Sequence, residues 1–453
     1  MPITSFFAAI SGLNANSFSL SVIGNNLANL NTVGFKGSRT NFKDLLSSEG
    51  SFNGAGNGIQ LGLGVTIGGV QNLFTQGSIQ TTGVPTDIAL QGNGFFVLGL
   101  SGTQGSYVYS RAGNFGVNAQ GYLVNNQGYY VQGYGVTLSG TTLTQTGPLS
   151  PIRIPVGSLM TPRPTTQIQM TMNLDATMRQ GDKFVTDISI FDALGQAHKA
   201  TYTFTRISLS GAPPSYSFDI TMDGSEINGG TPGQAFSLLT GAPAGAAPGR
   251  INFDANGRVA GITGVTTVSP TNLDVTFPPS MLTFSNGSQL GSNSVTWNVT
   301  QSQGASVSTS SYFLTSYASQ SSTSIKNQNG FASGTLTSIA VAASGVIQGI
   351  FSNGQVSPLA QLALASFANA EGLLKAGDNL FLASGVSSGE PNIGTPGTGT
   401  RGNVIGGALE MSNVDIAQEF TQLMIAQRGY QANSRVITTS DEVYQEAINL
   451  KRR

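Results

Sequence analysis

His198, in Ala197-His198-Lys199, is the chain's one imidazole. A Ser-His-Asp triad would have to use it, yet no Gly-x-Ser-x-Gly elbow leading into a helix accompanies it. With one His and no Cys, the ligands that zinc and copper favour are missing, so no metal site is expected. His198 falls in a run expected to be a strand, where a lone histidine is expected at the surface or partly buried. Asp182, Asp187 and Asp192 recur at five-residue spacing, whereas a calcium loop needs ligands two apart and a distal Glu. As a hydrolytic carboxylate pair they would have to be brought together by folding alone. Gly58 to Gly64 and Gly92 to Gly94 imitate phosphate loops, but neither opens a helix or leads into Lys-Ser/Thr, and turns are the simpler account. The expectation is no enzyme, no cofactor and no metal.

Composition points the same way. Only 9% of the 453 residues are charged, against about 25% in ordinary proteins. A net charge of -1 offers no field for steering nucleic acid or anionic lipid. Sixty glycines among abundant Ser, Thr, Asn and Gln describe a turn-rich β protein with a polar, scarcely ionic surface. Absence of Cys excludes a disulfide framework. The first basic residue is Lys36, so no charged region precedes the N-terminal apolar residues, and no cleaved leader is expected. Ser, Asn and Thr interrupt those residues, so no membrane insertion is expected.

Seven-residue spacing marks both chain ends. Ile3, Phe6, Ile10, Leu13, Leu20 and Leu27 form one stripe, and Ile416, Leu423, Tyr430, Ile437 and Tyr444 another. The first helix is expected to start after Pro2, and the second after a cap in which Ser412 and Asp415 exchange hydrogen bonds. Such stripes can pack on the body, pair as a hairpin within one chain, or pack between chains. Their length and terminal position favour contacts between chains.

Everything between reads as β-structure. Short strands such as Phe95-Phe96-Val97-Leu98 alternate with glycine turns. Period-two alternation marks Ile168, Met170, Met172 and Leu174, then Tyr216 to Met222, then Val295, Trp297 and Val299. Asn256-Gly257 and Asn286-Gly287 are hairpin turns. Leu362 to Leu374 reads as a short helix. The expected fold is mainly β with long helical termini and nested domains. Residues 1–34 and 404–453 form a paired, coiled-coil-like helical domain, and 35–72 an extended connector. Residues 73–164 and 322–403 form an inner β domain, and 165–321 an inserted outer antiparallel β-barrel or sandwich.

Specific residues narrow this pattern. Asn25-Asn26-Leu27-Ala28-Asn29 with Thr32-Val33-Gly34-Phe35-Lys36 resembles the N-terminal signature of the flagellar rod, hook and hook-associated protein family. Ser412-Asn413-Val414-Asp415, Glu419-Phe420 and Ala426-Gln427-Arg428-Gly429-Tyr430-Gln431-Ala432-Asn433 resemble its C-terminal signature. Gln91 to Phe96 and Ser110 to Phe115 resemble its first β domain. Asn173-Leu174-Asp175 after Thr165-Thr166, the stretch Leu364 to Leu374, and the size of the insertion resemble the family's hook branch. A distal rod protein, or a surface module gripping carbohydrate or host protein through residues 165–321, are the alternative readings.

The resemblance implies a structural subunit of a curved, flexible tube that transmits torque from rod to filament. It also implies export through the flagellar type III apparatus and an extracellular location. Its partners would be further copies of itself, a rod protein at the proximal end, a hook-filament junction protein at the distal end and a cap during assembly. The terminal stripes, with Asn25, Asn26, Asn29, Gly34, Phe35, Ser412, Asn413, Val414, Asp415 and Phe420, would pack the subunits. Extra Gly-rich sequence at Ser51 to Gly58 would limit sliding between neighbours.

Overall fold

A computed structural model describes residues 2–451 apart from 46–47, 53–57, 101–104, 140–141, 210–211, 245–248, 268–272, 278–282, 291–293 and 300–312. Residues 53–57 of the Gly-rich connector therefore lie outside the described residues. The chain forms two compact units. The first comprises Met1–Val156, Thr337–Ile350 and Val356–Arg453, and the second comprises Gly157–Leu336 and Phe351–Gln355. The expectation of a mainly β chain with packed terminal helices is borne out.

In the first unit, helix α1 (Pro2–Ala28) carries no charged residue. By length and composition alone, Ser5–Ala28 is long and apolar enough to cross a membrane. The interrupting Ser and Asn residues are outweighed by Ile, Leu, Val, Phe and Ala. Helix α2 (Ile416–Lys451) begins later than expected. Asp415 Oδ1 accepts from Gln418 N at 2.9 Å and is the cap, while Ser412 Oγ accepts from Val414 N at 3.3 Å in a local turn.

The connector is a folded hairpin rather than an extended link. Ser38–Asp44 pairs antiparallel with Val65–Asn72, with a bulge between Asn41 and Phe42. Val65 N donates to Ser11 Oγ at 3.1 Å, which ties the hairpin to α1. Glycine content concealed these strands, although Val65-Thr66-Ile67 is a β-branched run that favours extended backbone.

Phe95–Gly99 is buried along its whole length and pairs with Tyr107–Ser110 and Tyr130–Ser139. The Phe95 ring meets Phe74, Phe381 and Phe367 edge-on at 5.4, 5.6 and 5.7 Å. Leu362 to Leu374 is no α-helix. Leu364–Ser366 is a buried strand that pairs with Phe95 and Phe96, and Ala370–Gly372 is a single 3-10 turn. A short apolar run buried on both faces gives no periodicity to tell strand from helix.

In the second unit, Gln167–Asn173 buries Ile168, Met170 and Met172, as its alternation predicts. It pairs antiparallel with Ser322–Gln328. Two parallel pairs, with Val295–Asn298 and Leu314–Thr315, join an otherwise antiparallel unit and were not legible in the alternation. Lys183–Phe191, Ala197–Arg206 and Ser215–Asp223 form the antiparallel sheet opposite. Trp297 is fully buried against Tyr202, Phe218 and Phe204, which removes it as a carbohydrate contact. Gly257 turns at φ 74° between Gly249–Phe253 and Val259–Thr263, the hairpin expected at Asn256-Gly257.

His198 is buried, not a surface residue. Its ring stacks on Phe284 at 3.9 Å. Nδ1 lies 2.9 Å from Glu226 Oε2, and Nε2 lies 3.3 Å from Asp192 Oδ2. Asp192 also accepts from Asn286, Ser288, Leu194 and Gln196. Burial pushes its carboxyl up, but the hydrogen bonds from Ser288, Asn286 and Gln196 outweigh it and hold the pKa down to about 2. A carboxyl lowered on folding stabilises the fold above its unfolded value and loses that contribution as pH falls through the folded one. Thermal unfolding should therefore show about 2 kcal/mol of stability disappearing between about pH 4 and pH 2. Asp192→Asn should flatten that acid limb; an unchanged limb would remove Asp192 as its cause.

Candidate assembly site at the joined chain ends

Chain segments far apart in sequence meet around one buried carboxylate. Ala408–Glu410 pairs with Ile79–Thr81, which brings Glu410 into the base of the first unit. Gly34, at φ 69°, turns the chain after α1; a Cβ there would lie 2.5 Å from Ala112 N, so only glycine lets the backbone approach. Gly34 N donates to Glu410 O at 2.7 Å. The turn delivers Lys36, whose Nζ donates to Glu410 Oε1 at 2.6 Å and to Thr75 O at 2.7 Å. Arg111 Nη1 donates to Glu410 Oε2 at 3.1 Å and Nη2 to Gly92 O at 2.7 Å. Gly77 N completes the set on Oε1 at 3.0 Å.

Neither Lys36 nor Glu410 exposes any side-chain surface. Burial pushes the Lys36 ammonium below its ordinary value, opposed by the Glu410 charge, and it lowers Arg111 in the same way. Two cations share one carboxylate, so Glu410 is the group neither can lose.

A second hydrogen-bonded knot lies beside it. Asn413 Oδ1 accepts from Gly37 N at 2.8 Å, and its Nδ2 donates to Leu73 O at 2.8 Å and Thr75 Oγ1 at 2.9 Å. Asn26 is buried; Oδ1 accepts from Ser38 N at 3.0 Å, and Nδ2 donates to Ser38 O at 2.7 Å and to Glu419 Oε1 at 3.0 Å. Burial raises the Glu419 carboxyl, partly offset by that bond from Asn26.

The structure gathers part of the residue set read from the sequence. Asn26, Gly34, Phe35, Ser412, Asn413 and Val414 belong to this junction, with Lys375 Nζ 5.4 Å over the Phe35 ring. Asn29 donates to Asn25 O at 2.9 Å along the helix end, and Asp415 caps α2. The stripes divide. Phe6, Ile10, Leu13, Leu20, Leu27, Leu423, Ile437 and Tyr444 are half-buried, while Ile416, Phe420 and Tyr430 are exposed. The Ile3 side chain lies outside the described residues.

The sequence reading assigned no role to Lys36 or Arg111, which lie in two of the quoted motifs, and missed Glu410 altogether. One signal was available: Glu410 ends the apolar run from Val404 in a chain with very few charges.

Family comparisons fall on the same segments. The flagella basal body rod protein model matches residues 7–36, and the flagellar basal body rod FlgEFG protein C-terminal model matches 405–450. The flagellar hook protein FlgE/F/G D1 domain model matches 89–173, and the flagellar basal body protein FlaE D2 domain model matches 155–331. Flagellar hook protein FlgE of Treponema pallidum is 35% identical across 99% of both chains. Its counterpart from Salmonella typhimurium is 34% identical across 99% of this chain and 100% of its own.

The chain belongs to the flagellar hook protein family. It is a structural subunit of the flagellar hook. Hook protein family membership makes sense of a buried site built from ion pairs and amides, which holds the two chain ends together.

Replacing Glu410 with Gln should cost about 3–5 kcal/mol, because two buried cations lose the counter-charge they share. Asp415→Ala should cost about 1 kcal/mol through the lost helix cap. Denaturant unfolding of the monomeric chain measures both, and a Glu410→Gln loss no larger than that of the cap variant would refute the assignment.

Proposed function

We propose that the chain polymerises into a curved, flexible helical tube that transmits torque from the flagellar rod to the filament, a universal joint. One observation carries this reading. α2 leaves Ile416, Phe420, Met424 and Ile425 48%, 48%, 52% and 65% exposed, on a helix that is already paired. Large apolar side chains grouped on a soluble chain mark an interaction surface. Val443 and Ile448 continue the exposure along α2, and Phe7 and Phe18 add to it on α1. In this reading the terminal segments 1–34 and 404–453 line the channel, and the stripe residues supply contacts between subunits. Heterologous contacts that do not close on themselves produce an open helical polymer.

Segments 73–164 and 322–403, and the inserted 165–321, form the outer parts of the tube. Bending under rotation requires these surfaces to slide. Among the described residues, the exposed ion pairs are those of Asp187 with Lys199 and Lys326. A surface so poor in fixed pairs exchanges polar partners readily. The partners are further copies of the chain, a rod protein proximally, a hook-filament junction protein distally, the cap during growth, and the type III export apparatus. Export proceeds without a cleaved signal to an extracellular position.

Label from an antibody against residues 165–321 should fall on the short curved segment between envelope and filament in electron micrographs. Label on a straight segment inside the envelope would favour the rod instead. Combining Phe420→Ser with Ile425→Ser should leave monomer stability within about 0.5 kcal/mol, since both side chains are largely exposed. The same variant should form no polymer, and tubes of normal length from it would overturn the proposed surface.

A further inference from the structure

The antiparallel helix pair reveals a repetition that was not recognised in the sequence. α1 carries Gly12-Leu13-Asn14-Ala15-Asn16, and α2 carries Gly429-Tyr430-Gln431-Ala432-Asn433. Each has Gly first, a carboxamide third, Ala fourth and Asn fifth. The two stretches face each other. A Cβ built on Gly12 would lie 2.7 Å from Asn433 Nδ2, and one on Gly429 would lie 3.1 Å from Asn16 Oδ1. Each Asn therefore occupies the hollow that the opposite Gly leaves, and the contact has a local two-fold character. Asn16 is held in place because its Nδ2 donates to Gly12 O at 2.8 Å.

The same register extends beyond this contact. Asn26 is ten residues past Asn16, Glu419 is ten residues before Gly429, and Asn26 Nδ2 donates to Glu419 Oε1 at 3.0 Å.

An apolar heptad stripe tolerates slippage, because one aliphatic side chain replaces another with little loss; polar residues at the seam fix the register. Here a slip of four residues one way would set Gly12 against Gly429 and leave a void. The opposite slip would set Asn16 against Asn433 and force two amides into one space. We infer that the two pentapeptides are one recognition cassette used twice, a self-complementary key that selects antiparallel α1–α2 pairing in a single register. The key also decides which α2 residues are turned away from α1, and so which apolar row is left for other partners. It acts between the two helices of one chain.

Because the chain has no native cysteine, paired cysteines report the register directly. Ser19 and Ala426 stand three residues beyond the cassettes in the observed register, and Ser19 with Gln422 or Tyr430 reports a slip of four. In the full-length chain assembled into tubes, S19C/A426C should oxidise to a disulfide within one chain in preference to either slipped pair. Gly12→Asn should lower that yield about fivefold, and adding Asn433→Gly should restore it to within about twofold, the signature of a coupled pair. The reciprocal swap, Gly429→Asn with Asn16→Gly, supplies the same comparison where Gly12→Asn does not fold. Equal cross-linking of the slipped pairs in the parent chain would overturn the proposal, as would swapped doubles no better than their worse single variants.

Discussion

A buried carboxylate needs counter-charge, and this requirement organises the base of the first unit. Glu410 lies just before α2, Lys36 just after the turn that follows α1, and Arg111 in the β segment between them. None of the three is stable in the interior without the others, because desolvation of an isolated charge far exceeds any single contact. The triad therefore makes formation of the β body and attachment of the two terminal helices interdependent. Asn413 and Asn26 extend the same logic with neutral groups, each satisfying backbone donors and acceptors from other segments that would otherwise be orphaned in the interior.

Beyond this junction the helices rely on different physics. Their mutual contact includes glycines and amides at close range, and several large apolar side chains of α2 are turned away from it. For a protein that worked alone this would be a poor use of Ile416, Phe420, Met424 and Ile425, since burying such side chains is the main source of stability. For a member of the hook protein family it separates two tasks. Polar groups, which discriminate between registers, define the helix pair within a chain; under the proposed assembly, apolar groups, which are strong but permissive, are left for contacts between chains. The second unit follows the ordinary rule, with Trp297, Tyr202, Phe204 and Phe218 packed in a closed aromatic core and Asp192 gathering the loops beside His198.

The sequence by itself determined the fold class, the two terminal helices and several strands of the second unit, because periodicity and turn chemistry are local. Ile168, Met170 and Met172 alternate whatever their partners are, and Gly257 allows its turn without distant help. The family resemblance was equally legible, being carried by contiguous residues. Less legible were Leu364–Ser366, where burial on both faces erased the period, and the connector hairpin, whose glycines imitate a linker. The Ser412 cap was misplaced because two residues three positions apart competed for one role, and only the backbone path decided for Asp415. Tertiary structure alone decided which residues of the α2 stripe are turned outward, which Gly faces which Asn, and that Glu410 holds Lys36 and Arg111. Those facts depend on residues hundreds of positions apart, and no local preference encodes the partner of a buried charge or the register of two helices at opposite ends of a chain.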